Sequence, residues 1–241
     1  MFEVLVGLAA VAAGAIAAVS GFGIGSLLTP LTAAFVGTKL AVAFVSLPHF
    51  IGTGFRFVLL REHLDRKVLM TFGITSAIGG LIGALLQIWL RSVALGYILG
   101  TLLVFAGALG ITGFAARLRF GRAAGWIAGA LSGIFGGLVG NQGGIRSAAL
   151  LGFDVSKESF VATATAIALM VDLFRVPVYL VAQYEPILEV WPAVVIATVG
   201  AIVGTMAGKP LLKSIPEPTY RKVVSTIILA LGVWMFLHPG G

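Results

Sequence analysis

Only a few side chains can carry charge inside the apolar stretches of this sequence, and four of them suggest proton or anion chemistry. Asp172 and Arg175 stand three residues apart near the middle of one such stretch, on the same face of a helix. Ionisable groups at membrane depth are costly and mark a proton relay or an ion path. If Asp172 takes up a proton, Arg175 is released to engage an anionic substrate. The alternative is a self-neutralising pair that holds the fold. His49, mid-way along another apolar stretch, is the second proton-coupling candidate, because imidazole titrates near physiological pH. Arg146 opens a short apolar segment directly after a glycine cluster, where a cation beside a helix N-terminus favours an anion. It could instead reach the cytoplasmic headgroups. Arg56 lies about one turn from the end of its segment and is expected to snorkel to the interface.

The chain that must position these groups has 241 residues, of which 59% are hydrophobic and 10% charged. A soluble domain carries about 25% charged residues. This composition excludes an ordinary soluble enzyme and a disordered chain, and no catalytic residue is assigned. With no cysteine there is no disulfide framework, thiolate metal site or cysteine nucleophile. No cofactor or metal is expected. The net charge of +7 is read as basic cytoplasmic loops, not as a nucleic-acid surface. The expected fold is an all-α membrane protein whose surroundings are the lipid bilayer.

Crossing the hydrocarbon core takes about 20 apolar residues. Five apolar segments, at about 2–19, 24–36, 40–60, 68–90 and 94–115, precede the basic stretch Arg117–Arg122. Five more follow, at about 123–140, 142–153, 158–182, 188–209 and 219–238. Segments 24–36 and 142–153 are too short to span alone. The first segment lacks the basic flank of a signal peptide, its first charge being Glu3, and is expected to be a mature helix. With loop 61–67 in the cytoplasm, eleven of the 16 Lys and Arg fall inside, and only Lys39 and Arg91 outside. The positive-inside rule then puts both termini in the periplasm of a bacterial inner membrane.

The two halves resemble each other. Ser20-Gly-Phe-Gly-Ile-Gly matches Ser132-Gly-Ile-Phe-Gly-Gly, and Lys39 opens the third segment of its half as Lys157 does in the other. Ala77-Ile-Gly-Gly matches Ala201-Ile-Val-Gly, and the segments around Thr101 and Thr226 align. An odd number of segments per half makes the repeat inverted, as in many secondary transporters. The division is a first repeat at 1–116, a cytoplasmic basic linker at 117–122 and a second repeat at 123–241.

Gly121, Gly125, Gly129, Gly133 and Gly137 recur every four residues and make a ridge for close helix packing. The clusters Ser20–Gly25 and Ser132–Gly144 are dense enough in glycine to break a helix. Irregular backbone at membrane depth survives only when buried in protein or lining a wet cavity. Each cluster is therefore read as a re-entrant hairpin whose short helix, starting near Gly25 or Gly143, points free N–H groups at the protein centre. Tight packing without a ligand is the alternative. The substrate-binding residues named on this basis are Ser20, Gly21, Gly23, Gly25, Ser132, Gly133, Asn141, Gln142, Gly143, Arg146 and Arg175. Pro48, Pro177 and Pro192 are expected to kink their helices. The Gly-x-Gly-x-Gly at 21–25 is not a nucleotide loop, since no strand precedes it and no Lys-Ser/Thr follows.

The motif Ser20-Gly-Phe-Gly-Ile-Gly-Ser-Leu-Leu-Thr-Pro at 20–30, its repeat at 132–140, and Gly-Ala-Leu-Leu at 83–86 with its partner near 208–212 resemble the TauE/SafE family of sulfite and organosulfonate exporters. Many members carry a longer glycine run where this chain has Ile24-Gly25-Ser26. The resemblance implies movement of a small sulfur-containing anion across the bacterial inner membrane without ATP. The function read from it is proton-coupled export of sulfite or a short organosulfonate by a secondary transporter. An uncoupled anion channel or uniporter, an importer of a sulfur oxyanion and a structural membrane protein stay open, as does a homodimer.

Overall fold

Long apolar runs satisfy their backbone polar groups in lipid by becoming helices. The computed structural model describes residues 1–20, 23–113, 122–141, 143–150, 156–212 and 215–240, and every regular element among them is helical. In order these are α1 (Phe2–Ser20), α2 (Ile24–Leu60), α3 (Arg66–Val68), α4 (Ile74–Trp89), α5 (Ser92–Thr112) and α6 (Arg122–Val139). There follow α7 (Gly143–Leu150), α8 (Lys157–Ala182), α9 (Tyr184–Glu189), α10 (Trp191–Leu212) and α11 (Glu217–Leu237). Seven helices among the described residues are long and apolar enough to cross a membrane, and α6 is apolar but shorter. Large apolar side chains such as Val4, Leu8, Ile78, Ile127, Leu173 and Val199 face outward. The protein is a multi-pass all-α membrane protein.

The breaks fall near the expected places. Gly37, at φ 76° and ψ 154°, interrupts α2 and separates its first part from the long second part that carries His49. A side chain is disfavoured at that φ, so glycine is what permits the bend. Pro48 and Pro177 lie inside α2 and α8. Pro192 is the second residue of α10, not a mid-helix kink as expected from the sequence. At a helix start its missing N–H costs nothing. The basic linker lies outside the described residues, apart from Arg122 at the start of α6.

Three helix pairs pack closely: α1 with α10, α4 with α6, and α5 with α11. Their seams are built on glycine. A Cβ on Gly133 would overlap the Ser76 carbonyl, and one on Gly204 would overlap that of Val11. The ridge on α6 thus has α4 as its partner through Gly129, Gly133 and Gly137, while Gly121 lies outside the described residues. Such close approach supplies dispersion contact where lipid offers no hydrophobic drive.

Hydrogen bonds sort the connections into two ends. At one end the Lys39 N–H donates to Ser92 Oγ (3.2 Å), and its carbonyl accepts from Gln87 Nε2 (3.3 Å) and Gln183 Nε2 (3.2 Å). Thr38 donates to the Pro239 carbonyl there (3.1 Å) and Phe2 packs on Phe35, so both chain ends lie at this end. At the other end the Asp65 N–H donates to Thr163 Oγ1 (3.0 Å), and Tyr220 Oη donates to the Ile16 carbonyl (2.9 Å). Loop 61–67 therefore lies at the opposite end of the bundle from both termini.

Candidate functional site

The two glycine clusters meet in the interior. A Cβ on Gly25 would overlap the carbonyl oxygen of Gly140, and Ser26 Oγ donates to Asn141 Oδ1 at 3.0 Å. Gly23 and Gly140 both take positive φ, 144° and 71°. Between the breaks is a small cavity lined by Gly23, Gly25, Ser26, His49, Gly140, Asn141, Gly143 and Arg146. Gly25 and Ser26 belong to the first turn of α2, whose N–H groups have no partner within the helix. Arg146 is 1% exposed and brings a cation to the lining. Backbone donors, a hydroxyl, an amide and a guanidinium form a donor-rich, anion-accepting set. No group of three or more metal-ligating side chains occurs among the described residues.

His49 joins this cavity to the buried charges. Its Nδ1 lies 2.6 Å from Asp172 Oδ2. Asp172 Oδ1 accepts from Arg175 Nε at 2.8 Å and lies 2.8 Å from Arg175 Nη2. Asp172 is fully buried. Along the chain Asp172 and Arg175 stand as a pair and His49 stands apart. The structure makes one cluster of the three, because α2 and α8 pack against each other.

Arg175 also donates through Nη1 to the Gly136 carbonyl at 2.6 Å, and Tyr179 Oη donates to the Gly137 carbonyl. These are carbonyls of the last turn of α6, and that of Gly136 also accepts from the Gly140 N–H at 3.0 Å. A cation and a hydroxyl from α8 thus close the broken end of α6 and hold the second break. Arg175 is not among the residues lining the cavity.

Of the named substrate-binding residues, Gly23, Gly25, Asn141, Gly143 and Arg146 line the cavity, and the proton-coupling candidate His49 joins them. Gly21 and Gln142 lie outside the described residues. Ser20, Ser132 and Gly133 are not in the lining. Ser20 Oγ donates back to its own helix at the Ile16 carbonyl (2.9 Å), Ser132 is buried in α6, and Gly133 packs on α4. Arg56 does not snorkel. It is 2% exposed and its Nε donates to Thr165 Oγ1 at 3.0 Å, because α8 covers that face of α2. Ser26 and Tyr179 were missed. Tyr179 could have been found as the third polar position, after Asp172 and Arg175, on one face of α8.

A family model described as Sulfite exporter TauE/SafE matches residues 6–235, nearly the whole chain. The chain belongs to the TauE/SafE family. This TauE/SafE chain thus falls in a family of membrane transporters rather than enzymes, and the matched span includes both breaks and every residue of the cavity lining. Neither a curated protein nor a solved structure matches the chain.

Proposed function

We propose that this protein is a secondary transporter that exports a small sulfur-containing anion, sulfite or a short organosulfonate, across the bacterial inner membrane. The observation that carries this reading is the small, donor-rich cavity between the two breaks, lined by Arg146 and by His49. Proton coupling would run through His49 and Asp172, because His49 faces the cavity and bonds the carboxylate. The family description supports sulfite and export. An inside-negative membrane potential also favours departure of an anion. Two inverted repeats are supported by the way partners exchange: α1 of the first half packs on α10 of the second, and α6 of the second on α4 of the first.

The test is sulfite counterflow in proteoliposomes, together with thermal shift over sulfite, thiosulfate, taurine and sulfoacetate. Trans-stimulated exchange and stabilisation by at least one of these anions are expected. Flux without trans-stimulation would indicate a channel, and no response to any anion would favour a structural protein.

The topology has its own test. The basic loop 61–67 and the acidic loop near Glu185 lie at opposite ends of the bundle, and we place the basic one in the cytoplasm. Gln183 is buried, so the exposed Glu185 is the better probe. Arg66→Cys should resist an impermeant thiol reagent in intact cells and Glu185→Cys should react. The reverse pattern overturns the periplasmic placement of the termini.

A further inference from the structure

His49, Thr53 and Arg56 follow one another at helical spacing on α2 and are all buried, at 7%, 0% and 2% exposure. They face α8 in an antiparallel register. His49 meets Asp172, and seven residues further along α2 Arg56 meets Thr165, seven residues earlier along α8. The polar seam therefore runs from the cavity toward the end of the bundle that holds loop 61–67, over about 10 Å. Most of its members are satisfied, but two neighbouring atoms are not. Arg56 Nη1 and Thr53 Oγ1 are buried without a hydrogen-bond partner. The seam's carboxylate, Asp172, is already held by His49 and Arg175, and Arg56 forms no ion pair among the described residues. Arg56 lies close enough to Arg146 for their charges to repel and close enough to Asp172 for theirs to attract.

A fold gains nothing from leaving a guanidinium buried with an open donor, and such a group is kept where it serves an ion path. We propose that Arg56, with the hydroxyl of Thr53, forms a second position for the transported anion, between the cavity at the glycine breaks and the 61–67 end. The substrate class is that of the preceding section, on which this rests. A small oxyanion there would accept from Arg56 Nη1 and Thr53 Oγ1, the two open donors. Two cationic positions in sequence, at Arg146 and at Arg56, would let an anion leave one while attracted by the next.

The test uses the full chain in proteoliposomes, with sulfite as the probe. Arg56→Gln should keep the thermal stabilisation by sulfite, which reports the cavity at the breaks. It should slow sulfite exchange by about tenfold or more, the loss expected for one charge-assisted hydrogen bond. Arg56→Lys, which keeps the charge, should recover part of the rate. Exchange at the wild-type rate in Arg56→Gln overturns the proposal. So does loss of stabilisation together with exchange, since Arg56 would then be part of the first site. A wild type that neither exchanges sulfite nor is stabilised by it overturns the preceding section instead. Arg56→Leu then decides the residue's role without any substrate. Melting at or above the wild-type temperature supports a cation kept for function, and a lower melting temperature overturns it.

Discussion

His49→Gln should uncouple anion movement from a pH gradient and leave the protein folded, whereas Asp172→Asn should damage both. Asp172 is fully buried, accepts from Arg175 Nε and bonds His49 at 2.6 Å. Replacing its carboxylate with an amide leaves Arg175 a buried cation without its counter-charge, at a cost of about 3–5 kcal/mol. The broken end of α6 would loosen with it. His49 is placed differently, since it lines the cavity and can take a proton there. Glutamine can keep a hydrogen bond to Asp172 but cannot titrate. A protonated His49 adds positive charge beside the anion, so anion binding should strengthen as pH falls through the range in which the imidazole takes up its proton. The measurement is sulfoacetate affinity against pH, with gradient-driven uptake and melting temperature recorded on the same preparations. Wild type should show the pH trend and His49→Gln a flat profile with exchange retained. An unchanged trend in His49→Gln removes the imidazole from coupling. If Asp172→Asn is inactive but Asp172→Asn with Arg175→Gln recovers gradient-driven transport, the pair served only the fold.

Gly25→Val should stop transport while the chain still inserts. The added Cβ would fall on the Gly140 carbonyl oxygen, and Gly140 has little freedom to retreat. It sits at φ 71°, and its N–H is bonded to the Gly136 carbonyl at 3.0 Å. The two breaks would be pushed apart and the Ser26–Asn141 hydrogen bond lost. Overpacking of this kind costs about 1–3 kcal/mol, which a bundle with three glycine seams can absorb. The site is less tolerant, because misplacement by ~1 Å can cost about 10²-fold in rate. Gly54→Ala is the control, since a Cβ there meets Leu169 at an ordinary 3.7 Å. Anion exchange and membrane yield should be measured for both. Normal exchange in Gly25→Val would mean that contact between the breaks is not needed for function.

Much of this arrangement could be read from the chain itself. Uninterrupted apolar runs have one solution in lipid, so the long helices and their rough limits followed from length and composition, although 24–36 and 40–60 join as α2 across Gly37. Glycine density located the two breaks, because a local backbone preference is written locally. Charge separated loop 61–67 from both termini, and hydrogen bonds put that loop and the termini at opposite ends of the bundle. What the sequence could not decide was which buried polar groups meet. Asp172 and Arg175 are three residues apart and visible as a pair, but His49 lies 123 positions away from Asp172 and reaches it only because α2 and α8 pack in one register. The same register hid Arg56. Its distance from a segment end suggested snorkelling, yet α8 covers it and hands it Thr165. Likewise Ser132 and Gly133 repeat the motif of Ser20 and Gly21, but packing on α4 turns that turn of α6 away from the cavity. Helix periodicity says which side chains share a face. Only the packing of one helix on another says what that face touches, and in a membrane interior that contact decides whether a charge is neutralised, capped or left open for an ion.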